Sequence, residues 1–489
     1  MALLVLLALA LAVFKGLAVF LFVIHGCIRP FPPLVCPGAK GSTQAFFGNG
    51  GILWNCQPRF YRPWRGFWGQ STPFSSKATS SPPRRGLRRN PLKCSQPQLE
   101  AALPFALEPT AFSPLSYAFA AGEEGVGRLP AHHAGLFYVQ EPSACSAVTV
   151  LDPRPGEKVL DLCAAPGGKS TQIAGLLAGE GLLWSNEIVK SRAQALLSNV
   201  ERLGVPNAVV SSCHPQRLCQ SLQGFFDKVL VDAPCSGEGM FRRDPAAVAQ
   251  WSPESPAACA QRQRAILDSA ALAVREGGVL VYSTCTFSRE ENEDNVRWFL
   301  SAHPEFALLP IEAGFGRPGV GDLPVRRIYP MDGGEGHFVA KFQRVGENVD
   351  KPGAFTAYLS RREEGEFQGL FEELFTCHWP GSAARFGDRV VLLPQGLPEL
   401  SGLGVLRAGV ELCHQKGKRW EPSHAVFQAA RKEDCRQSLE LPWDAPELLA
   451  FLRGEEIPWE GKGYTAVCAG GVPTGFGKAS GGRLKNHYP

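Results

Sequence analysis

No aspartate or glutamate precedes Glu100 in this chain of 489 residues, whereas twelve lysines and arginines do. The 38 remaining basic residues face all 46 acidic ones, so residues 100–489 carry a net −8 beneath an overall +4. A mildly acidic body excludes bulk charge as a sign of nucleic-acid binding; any RNA surface must be a local patch. The 15 cysteines form no CxxC pair and no regular spacing. That argues against zinc ribbons, a disulfide framework or a redox dithiol, and no metal site is expected. An odd cysteine count spread through a large chain reads as reduced and intracellular, so a cytoplasmic location is expected. Long apolar runs are scarce as well: Ala2–Ile24, broken by Lys15 and Gly16, is the one stretch long enough to span a bilayer or direct export.

Residues 29–83 continue from that run, rich in Pro, Gly, Ser, Trp and Arg and without periodicity. Three readings fit residues 1–83: a signal-anchor with a basic linker, a targeting presequence, or an upstream stretch foreign to the folded protein. The last fits best, because the tract matches the balanced sequence beyond it so badly. No stable membrane partner is therefore expected.

The chain is organised around residues 159–169, Val-Leu-Asp-Leu-Cys-Ala-Ala-Pro-Gly-Gly-Lys. The spacing predicts a buried strand over 159–162, a Gly-rich turn, and a helix from Lys169. Such a unit sets backbone N–H groups and a helix N-terminus beside a ligand. The turn has neither GxGxxG nor GxxxxGK[ST], so neither a dinucleotide fingerprint nor a P-loop is indicated. Strands follow at 182–186, 208–211, 228–231 and 279–283. Helices fall at 190–203, capped by Gly204, and at 258–274, closed by Gly277 and Gly278. This alternation predicts a mainly parallel α/β sheet, whose ligand sits beyond the carboxyl ends of the strands. Cys163, Glu187, Asp232, Cys235 and Cys285 all fall there. Glu187 ends the second strand, where a carboxylate suits ribose hydroxyls.

A buried cysteine is usually a small apolar filler. Cys235 and Cys285 differ, since each lies just past a strand among Pro, Ser, Gly or Thr. Two thiols at one site suggest a nucleophile with a helper. Methylation at C5 of a pyrimidine needs such a pair. Thiolate addition at C6 activates C5, a carboxyl such as Asp232 stabilises the developing charge, and a second thiol assists elimination.

Three segments carry a resemblance: Cys163, Ala164, Ala165, Pro166, Gly167, Gly168 and Lys169; residues 232–239 from Asp232; and residues 283–286 around Cys285. In this order they resemble the signatures of the Nop/Sun-type RNA cytosine-5 methyltransferases. Residues 237–244, 251–254, 333–338 and 475–482 look like the bacterial small-subunit ribosomal RNA group. The resemblance implies a Rossmann-like class I methyltransferase fold with a mainly parallel sheet, and S-adenosyl-L-methionine as methyl donor. It implies Cys285 as nucleophile and Cys235 as the thiol that promotes release. Residues 163–169 would hold the methionine end of the cofactor, Glu187 the ribose, and Asp232 would sit between cofactor and base. Lys169 would lie near the reacting centre and Arg192 on the cofactor side. Many members carry an Asp after the third strand for adenine; here residues 211–215 have no acid, so the adenine contact stays unassigned.

The expected organisation is 1–83 outside the family, 84–150 an RNA-binding lead-in, 151–345 the methyltransferase domain, 346–384 a linker and helix, and 385–489 a small β-rich PUA-like RNA-binding domain. Strand-like runs at 389–394, 405–407 and 466–468 indicate a small β-rich module there, and the resemblance implies that it is PUA-like and binds RNA. Lys416–Arg419 and Lys478–Lys485 are its candidate phosphate contacts. His337 and His424 stand alone and read as core or surface residues. The expected substrate is RNA, small-subunit ribosomal RNA in particular, bound by a monomer. A transfer-RNA methyltransferase and a non-catalytic ribosome-assembly factor are the alternatives.

Overall fold

The computed structural model describes residues 83–120, 122–321, 323–346, 361–376, 382–417 and 419–488. The apolar run Ala2–Ile24, the basic tract after it and linker residues 347–354 lie outside these ranges. Among the described residues no helix is long and apolar enough to cross a membrane.

The centre is a ten-stranded sheet. Its parallel part comprises β1 (Lys158–Asp161), β2 (Leu182–Asn186), β3 (Ala208–Ser211), β4 (Phe226–Asp232) and β5 (Val274–Thr284), in the order β5-β4-β1-β2-β3. On one side β6 (Arg326–Ile328) and β7 (His337–Arg344) extend it antiparallel. The strands are parallel because both faces are covered: Val159, Leu160, Leu183, Trp184, Val209, Val229 and Val231 are all fully buried. Strands of this kind read as continuous apolar runs rather than alternating ones. Each such side chain contributes roughly 1.5–3 kcal/mol through burial.

Helices α1 (Ser146–Leu151), α2 (Gly168–Leu177) and α3 (Lys190–Arg202) cover one face through Val148, Ile173, Leu196 and Val200. Helices α4 (Pro215–Ser221), α5 (Ser255–Ala273) and α6 (Glu293–Ala302) cover the other through Leu218, Leu267, Val296 and Phe299. Strand order reverses between β1 and β4, so the crevice opens beyond the carboxyl ends of those two strands.

Three expectations are corrected. Gly277 and Gly278 do not close α5: the helix stops at Ala273, Val274 is already extended, and the glycines lie inside β5. A Cβ on Gly278 would come 2.9 Å from Asp227 O, so the neighbouring strand permits only glycine there. The run at 405–407 does not join the C-terminal module. As β8 (Val405–Ala408) it pairs antiparallel with β3 and closes the far edge of the central sheet. Backbone groups left open by β3 explain this, with Gly409 N donating to Ala208 O at 2.7 Å. Arg407 fastens the strand through Glu201 at 2.8 Å and Glu411 at 2.7 Å. Finally, 385–489 is two sheets, not one. A four-stranded antiparallel sheet covers Ser382–Phe386, Arg389–Leu393, Val410–Lys416 and Arg419–Pro422, and a five-stranded one begins at Ser438. The helix His424–Ala429 lies between them in sequence, and its Phe427 stacks on Phe476 at 4.4 Å in a shared core.

The segment before the central sheet folds as a four-stranded antiparallel sheet led by Arg85–Arg89. Arg88, fully buried, donates to Gly168 O at 2.6 Å and Thr171 Oγ1 at 2.7 Å. The lead-in thus braces the first turn of α2, directly behind the Gly-rich turn.

Candidate active site

Residues 162–167 leave β1 and enter α2 through Gly167, whose φ of +111° lies in a region that L side chains rarely adopt. A Cβ there would also meet Leu196 Cδ1 at 3.2 Å. Ala164 and Ala165 are buried, Pro166 is exposed, and Cys163 and Gly168 are half-buried. Arg192 Nη2 donates to Ala165 O at 3.1 Å, and its Nη1 pairs with Glu187 at 3.1 Å. Glu187 Oε1 also accepts from Val189 N at 3.0 Å. Beside this buried carboxylate stand two exposed apolar side chains, Ile188 and Val189. At the end of β1, Asp161 accepts from Ser170 Oγ at 2.7 Å, and its other oxygen, Oδ1, has no partner among the described residues. Burial raises its carboxyl to about 7, against the pull of that hydrogen bond. The Cys163 thiol is likewise pushed well above its ordinary value, first by burial and then by Asp161, Asp232 and Glu187.

Asp232 ends β4. Its Oδ2 accepts from Lys169 Nζ at 2.8 Å and its Oδ1 from Ser283 Oγ at 2.7 Å. Burial works against the Lys169 charge, but Asp232 and then Cys285 outweigh it and leave the ammonium more firmly protonated than usual. The two candidate thiols meet: Cys235 Sγ lies 3.1 Å from Cys285 Sγ and 3.3 Å from Cys285 N. Both are free and half-buried. The hydrogen bond to Cys285, then burial, hold the Cys235 thiol well above its ordinary value.

Sequence reasoning missed what holds these thiols together. Glu291 Oε2 accepts from Ser236 N at 3.0 Å and Gln263 Nε2 at 2.8 Å, and Gln263 Nε2 also donates to Pro234 O at 3.0 Å. Buried Glu238 accepts from Thr286 Oγ1 at 2.9 Å and Phe287 N at 3.0 Å, joining the Cys235 segment to the Cys285 segment. Burial raises Glu238 to about 7. The signal was faint, since Glu238 and Glu291 are ordinary surface types in a polar stretch. Among the described residues no group of three or more His, Cys, Asp or Glu could hold a metal ion. His424 is half-buried, with its Nε2 3.1 Å from Gln428 Nε2, whereas His337 is buried within reach of the charges of Lys169 and Asp232.

A doubly covered parallel sheet with a Gly turn, an acidic second-strand end and polar groups at the switch point defines a class I methyltransferase fold. Comparison with known proteins narrows this. Residues 148–343 match the family described as 16S rRNA methyltransferase RsmB/F. Residues 59–142 match the N-terminal domain of 16S rRNA methyltransferase RsmF, 370–429 its first C-terminal domain, and 438–489 its PUA domain. Ribosomal RNA small subunit methyltransferase F of Klebsiella pneumoniae is 34% identical over 444 residues, which are 84% of this chain and 91% of that one. The chain belongs to this RsmF family. Among solved structures, PH0851 aligns with a TM-score of 0.55 and 31% identity over 57% of this chain and 64% of its own. NSun6 from Pyrococcus horikoshii, solved with SFG, aligns at 0.53 and 23% identity over 60% and 99%. The family likeness therefore reaches upstream of Arg84, to residue 59, where none was expected, and the PUA match is confined to the second C-terminal sheet.

Proposed function

We propose that this protein uses S-adenosyl-L-methionine to methylate C5 of a cytosine in small-subunit ribosomal RNA, acting in the cytoplasm as a monomer. One observation carries this reading: two thiols 3.1 Å apart share the carboxyl edge of the sheet with the Lys169–Asp232 pair. The cofactor site fits the residues present. Gly167 brings backbone close, Asp161 offers an oxygen without a partner, and Glu187 is a buried carboxylate suited to ribose hydroxyls. Residues 163–169 would hold the methionine end, Arg192 would steady Glu187, and exposed Ile188 and Val189 offer apolar surface to the adenine left unassigned by sequence. S-adenosyl-methionine supplies an electrophilic methyl group.

The chain's own residues do the rest. Cys285 sulfur bonds to C6 of the base, which makes C5 nucleophilic. Asp232, held in place by Lys169 and Ser283, faces the base, where the proton it shares with Lys169 offsets the negative charge that develops on addition. Once C5 has taken the methyl group, its proton passes to solvent water and the Cys285 sulfur leaves with the C6–S bonding pair, restoring the C5–C6 double bond. Cys235 assists that departure. Because the base must meet Cys285 in a crevice, it must be unstacked from its neighbours.

Bisulfite sequencing of ribosomal and transfer RNA from cells with and without the protein tests this. A cytosine in 16S RNA protected only in its presence is expected. Protection confined to transfer RNA would reassign the substrate, and no change in either would favour a non-catalytic binding factor.

A further inference from the structure

We propose that His337 reads the target base: its Nε2 accepts a hydrogen bond from the exocyclic amino group of the cytosine and so selects cytosine over uracil. The inference rests on the function proposed above. In the β5–β7 ladder Phe338 lies opposite Thr284 and Val339 opposite Ser283. One step further brings His337 level with Cys285. Side chains alternate along a strand, so His337 shares a face with Val339 and with Ser283, the residue that donates to Asp232.

The ring is nearly buried, at 7% exposure, and its tautomer is fixed from behind. Its Nδ1 lies 3.1 Å from Ser143 Oγ, and the Ser143 hydroxyl donates to Glu141 at 2.6 Å. That carboxylate also accepts from Ser143 N at 2.8 Å and Ala144 N at 3.0 Å. With its own hydrogen committed to Glu141, Ser143 Oγ accepts from Nδ1–H. The lone pair is then on Nε2, which has no partner among the described residues. Burial first, then Lys169 and Arg243, outweigh Asp232 and lower the ring's pKa to about 3, so it is neutral. A ring this weakly basic is no proton acceptor for C5, but it remains a hydrogen-bond acceptor. Cytosine offers such an acceptor its amino hydrogens, whereas a pyrimidine with a carbonyl at C4 offers an oxygen there. A buried acceptor left unpaired by the wrong base penalises that base strongly.

An atomic double-substitution cycle tests this. The probe is 16S ribosomal RNA carrying either cytosine or pyrimidin-2-one, which lacks the amino group, at the position that bisulfite sequencing identifies. The readout is the single-turnover rate of covalent adduct formation by the full chain carrying Cys235→Ala, which retains the adduct, and the further variants are made on that parent. On cytosine RNA, His337→Ala is expected to slow the reaction on the order of tenfold, and Ser143→Ala, which keeps the ring but frees its tautomer, by a smaller factor. On pyrimidin-2-one RNA both variants are expected to match their Cys235→Ala parent within about twofold. Equal losses on both RNAs would overturn the assignment and leave His337 as packing alone. If the Cys235→Ala chain forms no Cys285-dependent adduct with cytosine RNA, the methylation reading fails and this inference falls with it.

Discussion

The two halves of the site are held in opposite ways. The turn at 163–169 is braced from outside, by Arg88 of the preceding sheet donating to Gly168 O and Thr171 Oγ1. The cysteine segments are braced from within, by the buried carboxylates Glu238 and Glu291, which gather donors from Ser236, Gln263, Thr286 and Phe287. A cation serves the first because the start of α2 presents carbonyl and hydroxyl oxygens. Anions serve the second because sharp loops present N–H and O–H groups. Placing the chemistry on short loops at strand ends brings the reacting groups together, and each loop then needs a buried charge to keep its shape.

Substitutions that act on one half should leave the other recognisably intact. The largest effect belongs to the thiols themselves. Cys285→Ala should lower methyl transfer by at least roughly 10³-fold in a radiolabel assay, while Cys235→Ala should leave protein covalently trapped on RNA, visible as a shifted band on a denaturing gel. Arg88→Ala strips a buried brace and should cost about 2–4 kcal/mol of stability by denaturant unfolding. It should also weaken cofactor binding in calorimetry, yet the folded fraction should keep its Cys285 reactivity towards RNA.

Glu238→Gln should change how stability depends on pH. The folded protein holds this proton up to about 7, against an ordinary 4.5. Its contribution to stability is therefore fully present below pH 4.5 and is lost as pH rises towards 7. The glutamine variant lacks that loss and should gain on the wild type by up to about 3 kcal/mol between pH 4.5 and 7.5. Parallel unfolding curves for the two proteins at pH 5 and pH 8 measure it; no change in their difference would refute the assignment. Glu291→Gln keeps the shape but loses charge-assisted bonds, and should cost about 1–2 kcal/mol. Smallest of all, Arg192→Ala should shift stability by less than about 1 kcal/mol, because the arginine of that ion pair is largely exposed.

Much of this site was legible in the chain. Cys163, Glu187, Asp232, Cys235 and Cys285 stand out because each ends or follows an apolar run, Lys169 only through the family resemblance, and the structure gathers them on one edge of the sheet. The strands at 182–186 and 208–211 came out at their predicted bounds. Less legible was anything set by a distant partner. Val405–Ala408 has the pattern of any short strand, and its place beside β3 depends on an edge some 200 residues earlier. Arg88 lay in the lead-in that starts at residue 84 with no role of its own, and only packing against the first turn of α2 buried it.

The sequence by itself determined the alternation of strand and helix, the glycine turn and the chemical identity of the groups at the strand ends. Hydrophobic periodicity and backbone sterics are local, and they act before any fold exists. Tertiary structure decided that the two thiols meet, which tautomer His337 holds and which charges are buried. Those properties depend on what lies within a few ångströms across the fold and on how much water remains there, and a linear chain specifies neither until it has packed.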